Sequence, residues 1–318
     1  MNRILILVFA FFCITIQVKS QGISEAEVTA KMTRAFELSK AGKKAEALEL
    51  FLIVGENTKK QSNETERQVY VCSQTMACQC YELLGKYKEG YLLAKELLQG
   101  KLNDEERKDV RRLFALNGYM YACGFIKRDE RGRADYSRGR SILEEIAPYA
   151  DGIVRNYVLQ KIPLTWYFEA ADYFLMQKYE EALKAYNKAL VGFQEIGQEK
   201  DVVSTLKWMA SAKYQLYDIK GSNKAYNDAL ILSRKTGDTS TQMEILQDLW
   251  FRCSAVGDLE QAREYAAGMD SLMETTSDSI AKFTYYNKKG KDARKQGAYN
   301  IAEQWFLKGM AIAESEAN

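Results

Sequence analysis

From Trp166 onward, small and aromatic residues return at a fixed interval of forty: Ala182, Ser222, Ala262, Ala302; Tyr186, Tyr226, Ala266, Phe306; Ala189, Ala229, Met269, Gly309. Each period holds two amphipathic segments split by a short polar turn, as in FLMQKYEEALKAY, SAVGDLEQAREYA and RKQGAYNIAEQWF. Alanine or glycine falls where helix backbones must approach closely, and the aromatic four residues later reaches from the same helix face into the space between neighbours. The spacing predicts helical hairpins stacked in series, because such a pair cannot bury its own apolar face. Towards the N-terminus the pattern loosens. Ala35, Leu38, Gly42, Ala47 and Phe51 outline one unit, and Cys78, Tyr81, Gly85 and Ala94 another. A degenerate pair follows, about Asp109 to Lys127 and Tyr136 to Tyr149, with a polar loop between them. Seven units cover nearly the whole chain. Only two prolines, Pro148 and Pro163, interrupt it, and alanine, leucine, glutamate and lysine are plentiful, so the fold is read as all-α.

One repeat carries a fuller signature. Trp166, Ala170 and Tyr173 set an aromatic, a small residue four on and an aromatic three further; Ala182, Tyr186 and Ala189 add a small–aromatic–small series. In these six places the chain resembles the tetratricopeptide repeat family. The resemblance implies a right-handed α-solenoid of about seven helix-turn-helix repeats with a concave and a convex surface. The forty-residue period exceeds the family's usual period of about 34, which implies longer helices and leaves the superhelical curvature open. Repeat five, around Trp208 to Tyr214, fits the signature only with a one-residue slip.

The resemblance also implies where to seek function, since the family lines its groove with the first helix of each pair. Carried over by position, the groove comprises Tyr167, Phe168 and Ala171; Lys207, Trp208, Ser211 and Tyr214; Gln247, Asp248 and Phe251; and Asn287, Lys288, Lys291 and Lys295. Aromatics grade into basic residues along this path. Exposed aromatics are effective binding anchors, and a basic end suits a carboxylate or an acidic side chain, so the expected ligand is a peptide or protein segment. Phe168 and Phe251 fit packing between helices equally well. Lys207 and Lys288 match two places of the carboxylate clamp found in some family members, but its asparagines are missing and Asp248 would repel a carboxylate, so that clamp is not expected.

The first twenty residues differ from the rest. Arg3 precedes an apolar run from Ile4 to Val18, and Val18 and Ser20 are small enough to precede cleavage before Gln21. The segment reads as a secretory signal, too short for the ~20 residues of a membrane span, and the expected location is exported, most simply periplasmic; an uncleaved anchor is the alternative. Losing Arg3 and Lys19 reduces 45 basic residues to 43, against 43 acidic. A neutral chain gives no expectation of nucleic acid or membrane as partner. The organisation expected is a signal at 1–20, N-terminal repeats at 21–126, a basic polar loop or hinge at 127–137 and C-terminal repeats at 138–318.

Chemistry adds exclusions. There is no histidine, so imidazole triads, histidine metal sites and histidine phosphorelay are ruled out. No glycine-rich phosphate loop appears, and the expectation is a non-catalytic protein without cofactor or metal. Cys72, Cys78, Cys80, Cys123 and Cys253 are an odd number, read as small buried residues rather than a disulfide framework. The loop KRDERGRADYSRGR reads as a solvated linker, a hinge or an anion-docking element. Finally, the last helix presents Trp305, Phe306, Leu307, Met310 and Ile312 with no polar capping helix after them. A partner, a second copy, a membrane protein or a continuation of the chain would cover that end. Two readings follow: an exported scaffold or adaptor that grips a peptide or protein segment, or the sensory input region of a membrane signalling protein, which exported repeat arrays of this kind resemble.

Overall fold

The computed structural model describes residues 24–60 and 63–317; the segment read as a signal, residues 1–20, lies outside them. The described residues contain fourteen α-helices and no strand. The chain divides into two compact units, one ending at Thr165 and the other starting at Trp166.

The first unit holds α1 (Glu25–Lys40), α2 (Lys44–Thr58), α3 (Glu64–Leu83), α4 (Tyr87–Leu98), α5 (Asp104–Ile126), α6 (Tyr136–Ile146) and the start of α7 (Gly152–Leu175). Ser24 and Asn103 open α1 and α5 with reciprocal capping boxes to Glu27 and Glu106, which satisfy amides the helix itself leaves orphaned. Successive helices pack side by side through Ala35, Ala47, Phe51, Ala77 and Cys78, all fully buried. Tyr91 stacks on Phe114 at 5.2 Å, and Phe114 meets Tyr149 edge-on at 5.2 Å. Gly118 lets α5 and α6 close on each other, since a Cβ there would stand 2.6 Å from Ile146 Cγ2.

This unit also uses charge where the repeat signature fades. Buried Arg67 on α3 gives Nη1 to Glu106 Oε2 on α5 at 2.7 Å and to the Lys101 carbonyl at 3.1 Å, while Glu64 takes Nε and Nη2. Such a network is costly to break, because removing one partner strands the others. Glu145 on α6 accepts from Tyr91 and Lys95 on α4. Pro163 lies inside α7 without ending it.

The basic loop between α5 and α6 is folded on itself. The Asp129 carboxylate accepts from the Arg131 and Arg133 amides and from the Arg133 guanidinium, around a turn with Gly132 at φ 72°. These bonds hold the Asp129 carboxyl below the usual carboxylate range.

The second unit continues α7 and adds α8 (Tyr179–Glu195), α9 (Glu199–Gln215), α10 (Ile219–Thr236), α11 (Thr239–Ala255), α12 (Leu259–Thr275), α13 (Ser279–Lys295) and α14 (Tyr299–Ala317). A new helix starts every twenty residues from Tyr179 to Tyr299, so the forty-residue period is a helical pair of TPR-like type with 17 to 19 residues per helix. The signature residues face inward: Ala182, Ser222, Ala262 and Ala302 are at most 4% exposed, and Tyr186, Tyr226, Ala189 and Ala229 are buried. Repeat five keeps the small place without a slip, Ala210 standing forty residues after Ala170 with both fully buried, while its aromatic, Tyr214, stands one residue beyond the place of Tyr173. A further departure falls at Trp250, forty beyond Ala210, where a half-exposed indole replaces the small residue.

Four of these helices share one cap. Asp218, Asp238, Asp258 and Asp278 stand at the N-caps of α10 to α13, and each carboxylate accepts the amide three residues on. The positions twenty and forty before Asp218 hold Gln198 and Lys178, which make no such bond.

Candidate functional site

The first helices of the pairs in the second unit are α7 from Trp166, α9, α11 and α13. Most of the residues carried over to their groove positions recur at intervals of forty, and the first two columns each share one level of burial. Tyr167, Lys207, Gln247 and Asn287 are half-buried, whereas Phe168, Trp208, Asp248 and Lys288 are exposed. In the third column Ala171 and Ser211 are half-buried, and Phe251 and Lys291 are exposed. Tyr214 is half-buried and Lys295 exposed.

At the α7–α9 end the side chains form an aromatic cluster. Trp208 meets Phe174 edge-on at 5.3 Å, and Tyr167 meets Phe168 and Tyr186 at 5.8 and 5.7 Å. Burial raises the Tyr167 hydroxyl above its ordinary value, opposed by a hydrogen bond from the Trp208 indole. Burial likewise raises the Asp201 carboxyl. The Tyr186 hydroxyl is buried without a hydrogen-bond partner among the described residues. Lys207 is taken up by an ion pair with Glu244 that ties α9 to α11.

The centre is polar. The Tyr226 hydroxyl, from α10, donates to Asp248 Oδ2 at 3.0 Å; its oxygen receives Arg252 Nη2 at 3.1 Å and lies 3.0 Å from Ser211 Oγ. The guanidinium of Arg252 also lies 4.1 Å from the Tyr214 ring centroid and 4.9 Å from that of Tyr226, within the range of cation–π attraction. Three carried-over residues, Ser211, Tyr214 and Asp248, are thus drawn together by two that the sequence reading missed as site residues. Tyr226 was read only as a packing aromatic. Arg252 sits four residues after Asp248, hence on the same helix face, and that spacing was the available signal. Phe251 lies beside this network, 65% exposed.

On α13, Lys288, Lys291 and Lys295 are exposed along one stripe, while the neighbouring Lys289 turns to Asp270 at 3.3 Å. Asp270 also accepts from the Tyr285 hydroxyl at 2.8 Å, and burial, followed by this bond, raises that hydroxyl. Asn287 is placed near Gly309 of α14.

The five residues singled out in the last helix divide. Trp305 stacks on Tyr286 at 5.7 Å, with the ammonium groups of Lys289 and Lys308 at 5.1 and 4.7 Å from its ring centroid. Phe306 fills the space over Gly290, where a Cβ would stand 2.6 Å from its ring, and Ile312 packs partly buried against the core. Leu307 and Met310 face outward, each more than half exposed.

The cysteines described are all free, and burial pushes the Cys72 thiol up to about 12 and raises those of Cys78 and Cys80. Among the described residues no group of three or more acidic, cysteine or histidine side chains is placed to hold a metal, and no helix is long and apolar enough to cross a membrane.

No family model and no curated protein matches the chain. Among solved structures, the apo form of RapI aligns at 10% identity over 91% of this chain and 98% of its own, with a TM-score of 0.33. The apo form of the quorum sensor NprR from B. thuringiensis aligns at 13% identity over 90% and 76%, with a TM-score of 0.35. A signal transduction ATPase with numerous domains and a tetratricopeptide repeat sensor, from Pyrococcus horikoshii, aligns at 14% identity over 90% and 42%, with a TM-score of 0.42. Overlaps at this level carry no functional assignment.

Proposed function

We propose that the protein is a non-catalytic, exported scaffold that binds a peptide or protein segment along the first helices of its C-terminal pairs. The observation that carries this is the exposed series Trp208, Phe251, Lys288, Lys291 and Lys295 on the first helices of the pairs, two of which also carry the Ser211, Asp248 and Arg252 members of the polar network. Apolar anchors beside fixed polar groups are the composition of a binding surface whose energy is concentrated in a few residues. The bound segment carries apolar side chains for Trp208 and Phe251 and acidic groups for the lysine stripe. Arg252, bonded to the Tyr226 hydroxyl and close to the Tyr214 ring, has its charge oriented before any ligand arrives, which lowers the ordering cost of binding. Export rests on the apolar run after Arg3 and its small-residue end. Outward-facing Leu307 and Met310 extend the reading to a second contact at α14, with another copy of the chain or a membrane protein.

The test is a peptide-display selection against the full chain, followed by affinity measurement on the peptides recovered. Trp208→Ala and Phe251→Ala, both at exposed positions, are expected to weaken binding about 30-fold each if they act as anchors of about 2 kcal/mol. Peptides that bind all these variants and a Lys288→Glu, Lys291→Glu variant as tightly as the natural chain would move the site elsewhere.

A further inference from the structure

The first unit contains a cleft of about 450 Å³ where α2, α3 and α4 meet, inside the range of roughly 300–1,000 Å³ typical of small-ligand pockets. Its floor is α3. Tyr70 and Gln74, four residues apart and so on one face, are 9% and 6% exposed, and both line the cleft. Neither side chain has a hydrogen-bond partner among the described residues. Neither polar end is among the side-chain atoms sealed off without a partner, so both open into the cleft, where a ligand could bond them.

The rest of the lining says which kind. Glu56 on α2 and Glu96 on α4 flank the cleft, both exposed and neither in an ion pair among the described residues, and against them stands one basic lining residue, exposed Lys59 at the end of α2, so the lining is net acidic by one charge. Tyr70 registers both: burial, then Glu96 and Glu56, raise its hydroxyl above the ordinary value. Leu52 and Leu93 supply apolar wall. Gly55 makes room for the floor, because a Cβ there would stand 1.5 Å from Gln74 Nε2. An adjoining hollow of about 280 Å³ shares Lys59, Tyr70 and Glu96. Two carboxylates, a carboxamide oxygen and a phenol oxygen are acceptors for a group that carries several N–H donors and a positive charge.

We propose that this cleft is a binding site for a compact organic cation of the alkylguanidine or alkylamine class. Its head lies between Glu56 and Glu96 with donors on Gln74 and Tyr70, and its methylenes lie on Leu52 and Leu93. The site is separate from the groove on α9 to α13, and neither proposal depends on the other.

Calorimetric titration of the full chain tests it, with two probes: agmatine as a free cation, and a blocked Gly-Gly-Arg-Gly-Gly peptide presenting the same head on a chain. Saturable binding of agmatine is expected, and binding of the peptide as well would identify the source as an arginine side chain. Glu56→Gln with Glu96→Gln, at exposed positions, is expected to melt as the natural chain does and to bind at least about tenfold more weakly. Gln74→Leu is expected to weaken binding without changing net charge. The proposal is overturned if neither probe saturates, if the double variant binds as tightly as the natural chain, or if glutarate, the opposite charge, binds better than agmatine.

Discussion

Gln177 and Tyr217 occupy left-handed backbone, at φ 61° and 62°, in the turns that follow α7 and α9. Equivalent turns at 197, 237, 257 and 297 use glycine, at φ between 69° and 79°, which has no Cβ to clash with its carbonyl. A side chain in this region costs about 1–2 kcal/mol, part of which glycine would return through its freer unfolded state. Tyr217→Gly is therefore expected to stabilise the protein by about 0.5–1 kcal/mol, read from denaturant midpoints at constant m; a lower midpoint would show that the 90%-exposed ring has a partner. At this scale the sequence was legible where a residue type has one physical use. Forty-residue spacing located the buried alanines correctly, because only small residues fit a close helix approach, and the buried tyrosines, which fill the space between neighbours. Arg252 was missed because its importance comes from three groups on other helices, Ser222, Tyr214 and Tyr226, whose convergence no local pattern records.

The helices owe their regular starts to chemistry as well as to packing. Asp238 opens α11, accepting the Thr241 amide at 3.0 Å and its hydroxyl at 2.8 Å. Burial works against the charge, but these bonds and the charges of Lys200 and Lys207 hold the carboxyl below its usual value. A carboxylate with a depressed folded value stabilises above the unfolded value of about 3.9 and loses that contribution as pH falls through the folded one. Asp238→Ala should thus cost about 1 kcal/mol at pH 7, with the deficit vanishing in strong acid; chemical melts at the two pH values measure it, and a deficit unchanged by acid would contradict the cap. The beat of aspartates at 218, 238, 258 and 278 was present in the sequence, a more direct marker of helix starts than the aromatic series. In the first unit no aspartate keeps this beat, although Asn63 and Asn103, forty apart, make the same bond at the starts of α3 and α5. There Arg67, Glu64 and Glu106 join helices that the signature would have joined with apolar side chains, and the pattern faded for that reason.

Within each unit the packing is mostly between helices adjacent in the chain, α4 on α5 and α9 on α10 among them, with α3 on α5 an exception in the first unit. Stability in such an array is a sum over pairs and their nearest interfaces. The first two groove columns inherit this regularity, each keeping one level of burial at every interval of forty. The side chains filling those columns change from aromatic to basic, and the ligand's character depends on that gradient rather than on any single residue. The repeated aspartate has one more consequence. Removing residues 239–278 would join Asp238 to Ser279, and the aspartate left behind would stand where Asp278 stood, ready to receive the Ala281 amide. The shortened chain is expected to melt cooperatively with the same helicity per residue by circular dichroism, and a collapse of helicity would refute interchangeable caps. Growth or loss by forty-residue modules spliced at Asp218, Asp238, Asp258 or Asp278, where each splice already carries its own starting signal, is the mode of descent this architecture leaves open.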